Sequence, residues 1–240
     1  ALYKNRLMML DLIANNNWKR PIYFSGGAYD DEDFLWMKNY LQLDGMTYKL
    51  VPIKTEIPKD ASPLEMGGID TDKMYANVMK WDWGNSESLS IYHDPETRKN
   101  SITYRSYLSR LMNQLILEGK KEKAKNIITL AMNKMPLEQF GYYSLLEPFA
   151  KGYYDLGENA KAQDLLSKLI LKYKENLKYY SSLTPSDQTS LAIDIITDIE
   201  RYRSLLLVMK ESGDVTFYNK NKAQFNTYVS IFERFGREKE

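Results

Sequence analysis

The fold is decided by residues 111–136, which read LMNQLILEGKKEKAKNIITLAMNKMP, and by residues 149–174, which read FAKGYYDLGENAKAQDLLSKLILKYK. A shift of 38 residues, from Leu111 to Phe149, aligns the two stretches. Glycine then falls on glycine, alanine on alanine and apolar on apolar: Gly119 on Gly157, Ala124 on Ala162, Ile128 on Leu166 and Ala131 on Leu169. A glycine ends the first helix of each copy, and a small alanine lets the second helix approach it closely. The pattern therefore predicts two helical hairpins of one design.

The spacing of these positions resembles that of the tetratricopeptide repeat, whose period is about 34 residues. Here the period is 38 residues, and the second copy has Lys174 where the first has Pro136, which ends the hairpin. A generic array of helical hairpins is the alternative interpretation. Stacked repeats of this kind usually form a concave surface that binds other proteins.

Helical periodicity continues from Asp94 nearly to the end of the chain. We predict one helix over 94–118, a second that ends at Met135, and three more over 137–156, 158–180 and 185–211. A last amphipathic helix carries apolar residues three to four apart, namely Phe225, Tyr228, Val229, Phe232 and Phe235. The final pair of helices departs from the repeat pattern, so we expect it to cap the array.

The residues before Asp94 alternate between short helical and strand-like segments. We predict helices over 2–13, 31–43 and 71–79, strands over 20–24 and 46–53, and a loop over 54–68. The expected fold is mainly α, with a small α/β N-terminal unit and tetratricopeptide-like helical hairpin repeats in the C-terminal part. The predicted domains are residues 1–93 and 94–240.

Composition excludes several classes of function. The chain has 240 residues, with 33 Lys and Arg, 32 Asp and Glu, one His and no Cys. Disulfides, thiolate metal sites and a cysteine nucleophile are therefore excluded, and so is any site with several histidines. A net charge of +1 argues against a nucleic-acid partner, which selects for a basic surface. No stretch approaches the roughly 20 apolar residues that a membrane-spanning helix needs.

The most unusual segment is Trp81-Asp82-Trp83-Gly84-Asn85. Two indoles beside a carboxylate and an amide can stack on a sugar, pack one domain against the next, or lie at a membrane interface. We favour packing between domains and take Trp81, Trp83 and Asn85 as a candidate binding or interdomain surface. We add His93, Tyr142 and Tyr153 to these candidates, although a structural His93 and tyrosines that pack between repeats are the simpler interpretations.

Two weaker signals concern anions and cations. Ser25-Gly26-Gly27 follows a predicted strand as a phosphate-binding turn would, but residues 30–33 are all acidic and oppose an anion there. Neither this acidic run nor Asp70-Thr71-Asp72 has the pattern of a calcium loop. We therefore expect no metal and no cofactor.

Three segments resemble a known family: residues 18–24 (WKRPIYF), residues 43–52 (LDGMTYKLVP) and residues 92–95 (YHDP). The family is the C-terminal soluble region of protein O-mannosyltransferase-like, multi-spanning membrane proteins of the GT-C type, which are abundant in Bacteroidetes. Its members carry tetratricopeptide-like repeats after an N-terminal membrane region. The resemblance covers nearly all of this chain, and residues 15–24 are its most specific part.

The resemblance implies a non-catalytic accessory domain on the periplasmic face of the inner membrane, within a larger membrane glycosyltransferase-like protein. Its partners would be the upstream membrane region of the same parent chain and an acceptor protein that the domain positions. The catalytic acid of such an enzyme lies in the membrane region, so the resemblance assigns no catalytic residue here. Ala1 in place of an initiating Met fits a trimmed piece of a longer protein.

Two other functions are open. One is a free-standing helical-repeat adaptor that binds a peptide or a protein. The other is an enzyme that acts on carbohydrate, although no pair of carboxylates is marked out by its spacing.

Overall fold

The computed structural model describes residues 3–25, 36–55 and 65–235. The fold is mainly α with a small four-stranded sheet near the N-terminus, which confirms the predicted fold class. The chain divides into two compact units, residues 1–141 and 142–240.

The described part of the first unit contains five helices and four strands. The helices are α1 (Lys4–Asn16), α2 (Thr71–Val78), α3 (Pro95–Leu117), α4 (Lys121–Lys134) and α5 (Leu137–Phe140). The strands are β1 (Tyr23–Ser25), β2 (Leu41–Asp44), β3 (Thr47–Leu50) and β4 (Gly68–Ile69). A short 3-10 turn over Lys38–Tyr40 precedes β2.

Strands β2 and β3 form a tight antiparallel hairpin, in which Asp44 is paired with Thr47. Leu41 and Leu43 are fully buried, whereas the residues between and after them are half-buried, as the two-residue period of a strand requires. Gly45 takes up the positive φ of the turn, at +68°.

The predicted helix over 31–43 is therefore wrong where it meets β2, and residues 31–35 lie outside the described part. The spacing of Phe34, Met37 and Leu41 fits a helical face, but the following residues alternate between apolar and polar. Asp44-Gly45 then supplies a strong hairpin signal. The structure follows this shorter-range pattern.

Strands β1 and β4 complete the sheet in the order β1-β3-β2-β4. β1 runs antiparallel to β3, and β4 runs parallel to β2, with Gly68 opposite Gln42. A Cβ on Gly67 would lie 2.8 Å from the carbonyl oxygen of Leu41, so only glycine fits this approach. The predicted strands over 20–24 and 46–53 are shorter than expected, and β4 falls in the predicted loop over 54–68, of which residues 56–64 lie outside the described part.

Helix α1 extends to Asn16 and is followed by Asn17, which has a left-handed conformation, so the helix continues three residues beyond the predicted range of 2–13. No residue of α1 is buried. Apolar side chains such as Met8 and Leu12 are therefore exposed, at 60% and 65% of their surface.

Helices α2 and α3 join the sheet to a helical hairpin. Asp70 caps α2 through the backbone N–H of Lys73, and Asp94 caps α3 through those of Glu96 and Thr97. Tyr107 of α3 packs edge-on against Tyr48 of β3, with ring centroids 5.8 Å apart.

Helices α3 and α4 pack along their apolar faces, which bury Leu111, Leu115, Ala124 and Ile128 completely. Arg110 donates from Nη2 to the carbonyl of Gly67 at 2.8 Å, which ties α3 to the sheet as well. The predicted domain boundary at 93/94 lies inside this first unit, at the beginning of α3. That residues 1–93 and 94–240 are separate domains stays a prediction.

The second unit is helical in its described part. A 3-10 turn over Tyr143–Leu146 leads into α6 (Glu147–Asp155), α7 (Asn159–Ser181), α8 (Pro185–Ser190), α9 (Ala192–Glu211) and α10 (Val215–Ile231), and a second turn follows over Glu233–Phe235. The predicted helix over 137–156 is in fact α5, an irregular stretch and α6, because Gly141 and Tyr142 both have positive φ. The predicted helix over 185–211 is divided at Leu191.

The same turn occurs in both units. Gly119 and Gly157 each have positive φ and donate to the carbonyl three residues earlier, while the next residue donates to the carbonyl five residues earlier. This is the Schellman arrangement. Ala124 and Ala162 are both fully buried, so the two predicted hairpins are found as expected. Membership of the tetratricopeptide family stays a prediction.

A third copy of the turn lies at Gly213, between α9 and α10. The last helix pair therefore shares the hairpin turn, although its sequence departs from the repeat pattern. In the part of the chain that the structure describes, no helix combines the length and the apolar character needed to cross a membrane.

Candidate functional site

Three aromatic rings form a cluster in the first unit, between the end of α2 and the side of α3. The ring of Tyr104 lies 5.6 Å from that of Trp81 at 87°, and 5.5 Å from that of Trp83 at 52°. The two indoles lie 5.7 Å apart. These are the edge-on and tilted arrangements that aromatic quadrupoles favour. All three side chains are half-buried, so the cluster keeps an accessible face.

Backbone turns after α2 hold the two indoles in place. The N–H of Trp81 donates to the carbonyl of Val78 at 3.1 Å, and the N–H of Ser86 donates to the carbonyl of Trp83 at 2.9 Å. Asp82 accepts a hydrogen bond from the N–H of Gly84 at 2.9 Å. The segment between the tryptophans is therefore a structured turn with a fixed orientation.

The cluster forms one wall of a cavity of about 620 Å³. This volume lies in the usual range for small-molecule sites, roughly 300–1,000 Å³. We call this cavity the aromatic pocket. Its lining combines aromatic rings, two methionines and small polar groups: Met46, Trp81, Asp82, Trp83, Gly84, Ser86, Ile91, Tyr92, His93, Thr97, Asn100, Ser101, Tyr104, Met135 and Phe140.

His93 and Phe140 lie side by side in the lining, with ring centroids 4.5 Å apart. The Nε2 atom of His93 lies 2.8 Å from the carbonyl oxygen of Ser86, which can only accept, so Nε2 carries the hydrogen. The neighbouring Asp94 is engaged as the cap of α3, where hydrogen bonds from Thr97 and Glu96 lower its pKa. His93 therefore bonds the backbone of Ser86, Asp94 caps α3, and no hydrogen bond joins the two side chains among the described residues.

Polar side chains of the lining, Asp82 and Asn100 among them, keep groups available to a ligand. Among the described residues, no donor reaches Oδ2 of Asp82, and no group bonds the side-chain amide of Asn100. The hydroxyls of Ser86, Thr97 and Ser101 are already engaged with protein acceptors. Lining residues of the described part include no Lys or Arg.

Buried polar contacts support the floor of the pocket. Arg105 is fully buried and donates from Nη2 to the carbonyl of Met135 at 2.9 Å and from Nη1 to the carbonyl of Gly141. Burial lowers the pKa of Arg105, but a guanidinium stays charged at neutral pH. The charge faces the carbonyl of Met135 at the end of α4 and that of Gly141 at the end of α5, where each helix carries the negative end of its dipole.

The structure brings together three of the six predicted site residues. Trp81, Trp83 and His93 line the aromatic pocket, and Asn85 lies on the same turn with a φ of +60° but outside the lining. Tyr142 and Tyr153 belong to the second unit.

Neither tyrosine of the second unit is part of the pocket lining. Tyr142 is 40% exposed, and Tyr153 is half-buried beneath Lys161, whose Nζ lies 6.0 Å from the ring centroid. Burial raises the pKa of Tyr153.

Sequence reasoning missed Tyr104 and Phe140. No local pattern marks either residue, because Tyr104 reaches Trp81 only through the packing of α3, and Phe140 belongs to a helix of one turn.

The sequence segments that we considered for a bound anion or cation form no ion-binding site in the described part of the chain. The Ser25-Gly26-Gly27 turn, where we expected no phosphate site, and the acidic run at 30–33 lie outside the described residues, apart from Ser25. Asp70 pairs with Lys73, and Asp72 pairs with Lys120 and Lys123. Within 3–25, 36–55 and 65–235, no group of three or more acidic or histidine side chains is placed to hold a metal ion.

Residues 1–73 match the family model described as TMEM260-associated domain 2. This region contains α1, the sheet and the first residues of α2, and it ends before the aromatic cluster. The N-terminal part of the chain is therefore similar to a domain that is associated with TMEM260-like proteins. Comparison with curated proteins and with solved structures gave no match.

Proposed function

We propose that this chain is a non-catalytic accessory domain of a TMEM260-like, O-mannosyltransferase-like membrane protein, and that it positions an acceptor protein at the periplasmic face of the inner membrane. The observation that carries the proposal is the match of residues 1–73 to TMEM260-associated domain 2. The residues that resemble the soluble region of such glycosyltransferases, at 18–24 and 43–52, lie inside the matched segment.

The aromatic pocket is the place where we propose that the acceptor binds. The hairpin of the matched segment contributes Met46 to the aromatic pocket, while the following segment contributes the tryptophans. The matched segment and the pocket therefore belong to one structural unit.

The proposal of a non-catalytic role rests on the carboxylates of the pocket. Glycoside chemistry by the usual route needs two carboxyl groups, roughly 5–10 Å apart, on either side of the bond. Asp82 is the one carboxylate in the described lining of the aromatic pocket. We therefore place the chemistry in another part of the parent protein.

Cell fractionation tests this proposal. Native cells are lysed and separated into membrane and soluble fractions, and both are probed with an antibody raised against the 240-residue chain. We expect a band far above 28.1 kDa in the membrane pellet. A soluble band near that mass would overturn the proposal.

A substitution in the complete parent protein tests the accessory role. We expect Trp83→Ala to reduce glycosylation of the acceptor, measured as its mass shift, because the pocket loses one ring of its wall. Tyr179→Ala is the matched control, since Tyr179 is 58% exposed and lies in the second unit. Equal glycosylation by the two variants would contradict the role.

The alternative function is a free-standing adaptor that binds a protein or peptide. It is favoured by the hairpin turn that recurs at Gly119, Gly157 and Gly213, because repeated hairpins commonly build protein-binding scaffolds. A stable complex recovered with a soluble 28.1 kDa chain, in the absence of any membrane region, would support it.

A further inference from the structure

We infer that the aromatic pocket binds a neutral pyranose sugar. The inference rests on the proposed function for the source of that sugar, which would be a glycan on the acceptor protein. The binding itself follows from the chemistry of the pocket, and it is tested separately below.

The wall of the pocket suits the apolar face of a sugar ring. A pyranose has one face of C–H groups and a rim of hydroxyls, so its usual protein partner is an aromatic ring beside polar groups. Trp81, Trp83 and Tyr104 supply three rings with centroids 5.5–5.7 Å apart. Because these rings contact each other and the backbone around the tryptophans is hydrogen-bonded, the wall is formed before a ligand arrives.

The polar groups of the pocket suit the hydroxyl rim. Oδ2 of Asp82 can accept a hydrogen bond, and the amide of Asn100 can both donate and accept. The N–H edge of the Trp81 indole lies against Gly45, so the indole donor that we assign to a sugar oxygen is the N–H of Trp83, a residue of the pocket lining. Few, fixed polar groups on an aromatic wall are what orients a small ligand.

The charge of the pocket excludes an anionic ligand. Phosphate and carboxylate ligands are normally held by Arg, Lys or a free helix N-terminus. In the described residues, the lining holds no Arg or Lys, and the N-terminus of α3 is already capped by Asp94. The carboxylate of Asp82 would repel an anion. The ligand is therefore a neutral sugar, and a nucleotide-linked or phosphate-linked sugar donor does not fit.

The test uses the fluorescence of the pocket tryptophans. The chain has four tryptophans, and Trp18 and Trp36 are 53% and 48% exposed. In the 240-residue chain with Trp18→Phe and Trp36→Phe, only Trp81 and Trp83 emit. This protein is titrated with methyl α-D-mannopyranoside, methyl β-D-glucopyranoside and methyl β-D-galactopyranoside. We expect at least one of these glycosides to change the tryptophan fluorescence in a saturable way, with a Kd on the order of 1 mM for a ligand of this size.

Variants then place the binding in the pocket. We expect Trp83→Ala to weaken binding about tenfold or more, since a stacking ring is lost, whereas Trp83→Phe keeps a ring and most of the affinity. Nuclear magnetic resonance spectra of the sugar methyl group, recorded with each variant, measure this binding independently of tryptophan emission. Tyr179→Ala is the control outside the pocket.

Several outcomes overturn the inference. The first is that none of the three glycosides changes the tryptophan fluorescence in a saturable way, even far above the expected Kd. The second is that Trp83→Ala binds the glycosides as tightly as the parent sequence does. The third is that glucuronic acid or glucose 1-phosphate binds more tightly than the neutral glycosides. Binding of an apolar peptide in preference to all sugars would also overturn it. If glycosides bind but Trp83→Ala leaves glycosylation by the complete parent protein unchanged, the proposed function fails and the sugar site stands.

Discussion

The indole of Trp81 lies directly against Gly45, such that a Cβ on Gly45 would be 3.2 Å from Cζ2 of the ring. This contact joins the turn of the β2–β3 hairpin to the wall of the aromatic pocket. Gly45 also needs its positive φ of +68° to close the turn. Glycine is therefore favoured at this position for two independent reasons.

We predict that Gly45→Ala destabilises the first unit more than Gly84→Ala does. Both glycines have positive φ, which costs a residue with a Cβ about 1–2 kcal/mol. A Cβ on Gly84 would meet nothing within 4 Å, so that variant measures the backbone cost alone. Urea unfolding followed by tryptophan fluorescence checks this, because all four tryptophans belong to the first unit. Equal costs for the two variants would show that the Trp81 contact is not important.

We expect Arg105→Met to lower the free energy of unfolding of the first unit by about 2–4 kcal/mol, because a buried and a half-buried carbonyl lose their donor. These are the carbonyls of Met135 and Gly141. Lys99→Met on the same helix is the control, since its ammonium is exposed and contributes almost nothing. The same urea experiment measures both. A loss for Arg105→Met as small as that of the control would contradict the assigned role.

Asp72 makes the stability of the first unit depend on pH in the acid range. Hydrogen bonds from Lys120 and Lys123 lower its pKa to about 2 from the ordinary 3.8. Ionised Asp72 therefore stabilises the folded state. Its contribution to the free energy of unfolding is fully present above pH 3.8 and is lost as the pH falls towards 2.

The difference in Tm between the parent sequence and Asp72→Asn should accordingly be present at pH 6 and disappear near pH 2. High salt should reduce the difference at pH 6, because the Asp72 side chain is 62% exposed and its ion pairs with both lysines lie at the surface. Thermal melts followed by circular dichroism at several pH values measure this difference in Tm. A difference that is constant with pH would rule out Asp72 as its source.

The three Schellman turns should respond alike to substitution. Gly119, Gly157 and Gly213 have φ values of +73°, +77° and +77°, and a Cβ on any of them meets nothing within 4 Å. We therefore expect Ala to cost about 1 kcal/mol at each position, from the backbone alone. Thermal melts of the three single variants compare them. A much larger cost at one position would mean that its turn has a packing role that the others lack.

Helices with long periodic patterns could be predicted from the sequence because their signals are local. Asp94-Pro95 predicts the beginning of α3, and Gly119 and Gly157 mark the helix ends that are observed. The strands were harder because their evidence is shorter. Leu41 and Leu43 fit a helix and a strand equally until Asp44-Gly45 is given its weight as a hairpin turn. β4 has two residues and exists only through its pairing with β2, which no local pattern predicts.

The candidate site likewise has some residues that the local sequence marks and others that only the tertiary structure brings together. Trp81 and Trp83 are unusual enough in the sequence to be selected, and His93 lies in the same pocket. Trp81 packs against Gly45 and against Tyr104, which lies beyond the predicted boundary at 93/94 but in the same compact unit. Our preferred interpretation, packing between domains, therefore stays a prediction. Tyr142 and Tyr153 were grouped with the tryptophans by residue type alone, and residue type does not report tertiary neighbours.

The parallel pairing of β4 with β2 has a consequence for the order of folding. The β2–β3 hairpin closes over a two-residue turn and the α3–α4 hairpin over a three-residue connection, so both are local and form early. Gly68 reaches Gln42 only after a long excursion of the chain, and it needs β2 already in place as a template. We therefore expect the rate-limiting barrier to precede the docking of β4, with the sheet edge adding little to the folding nucleus.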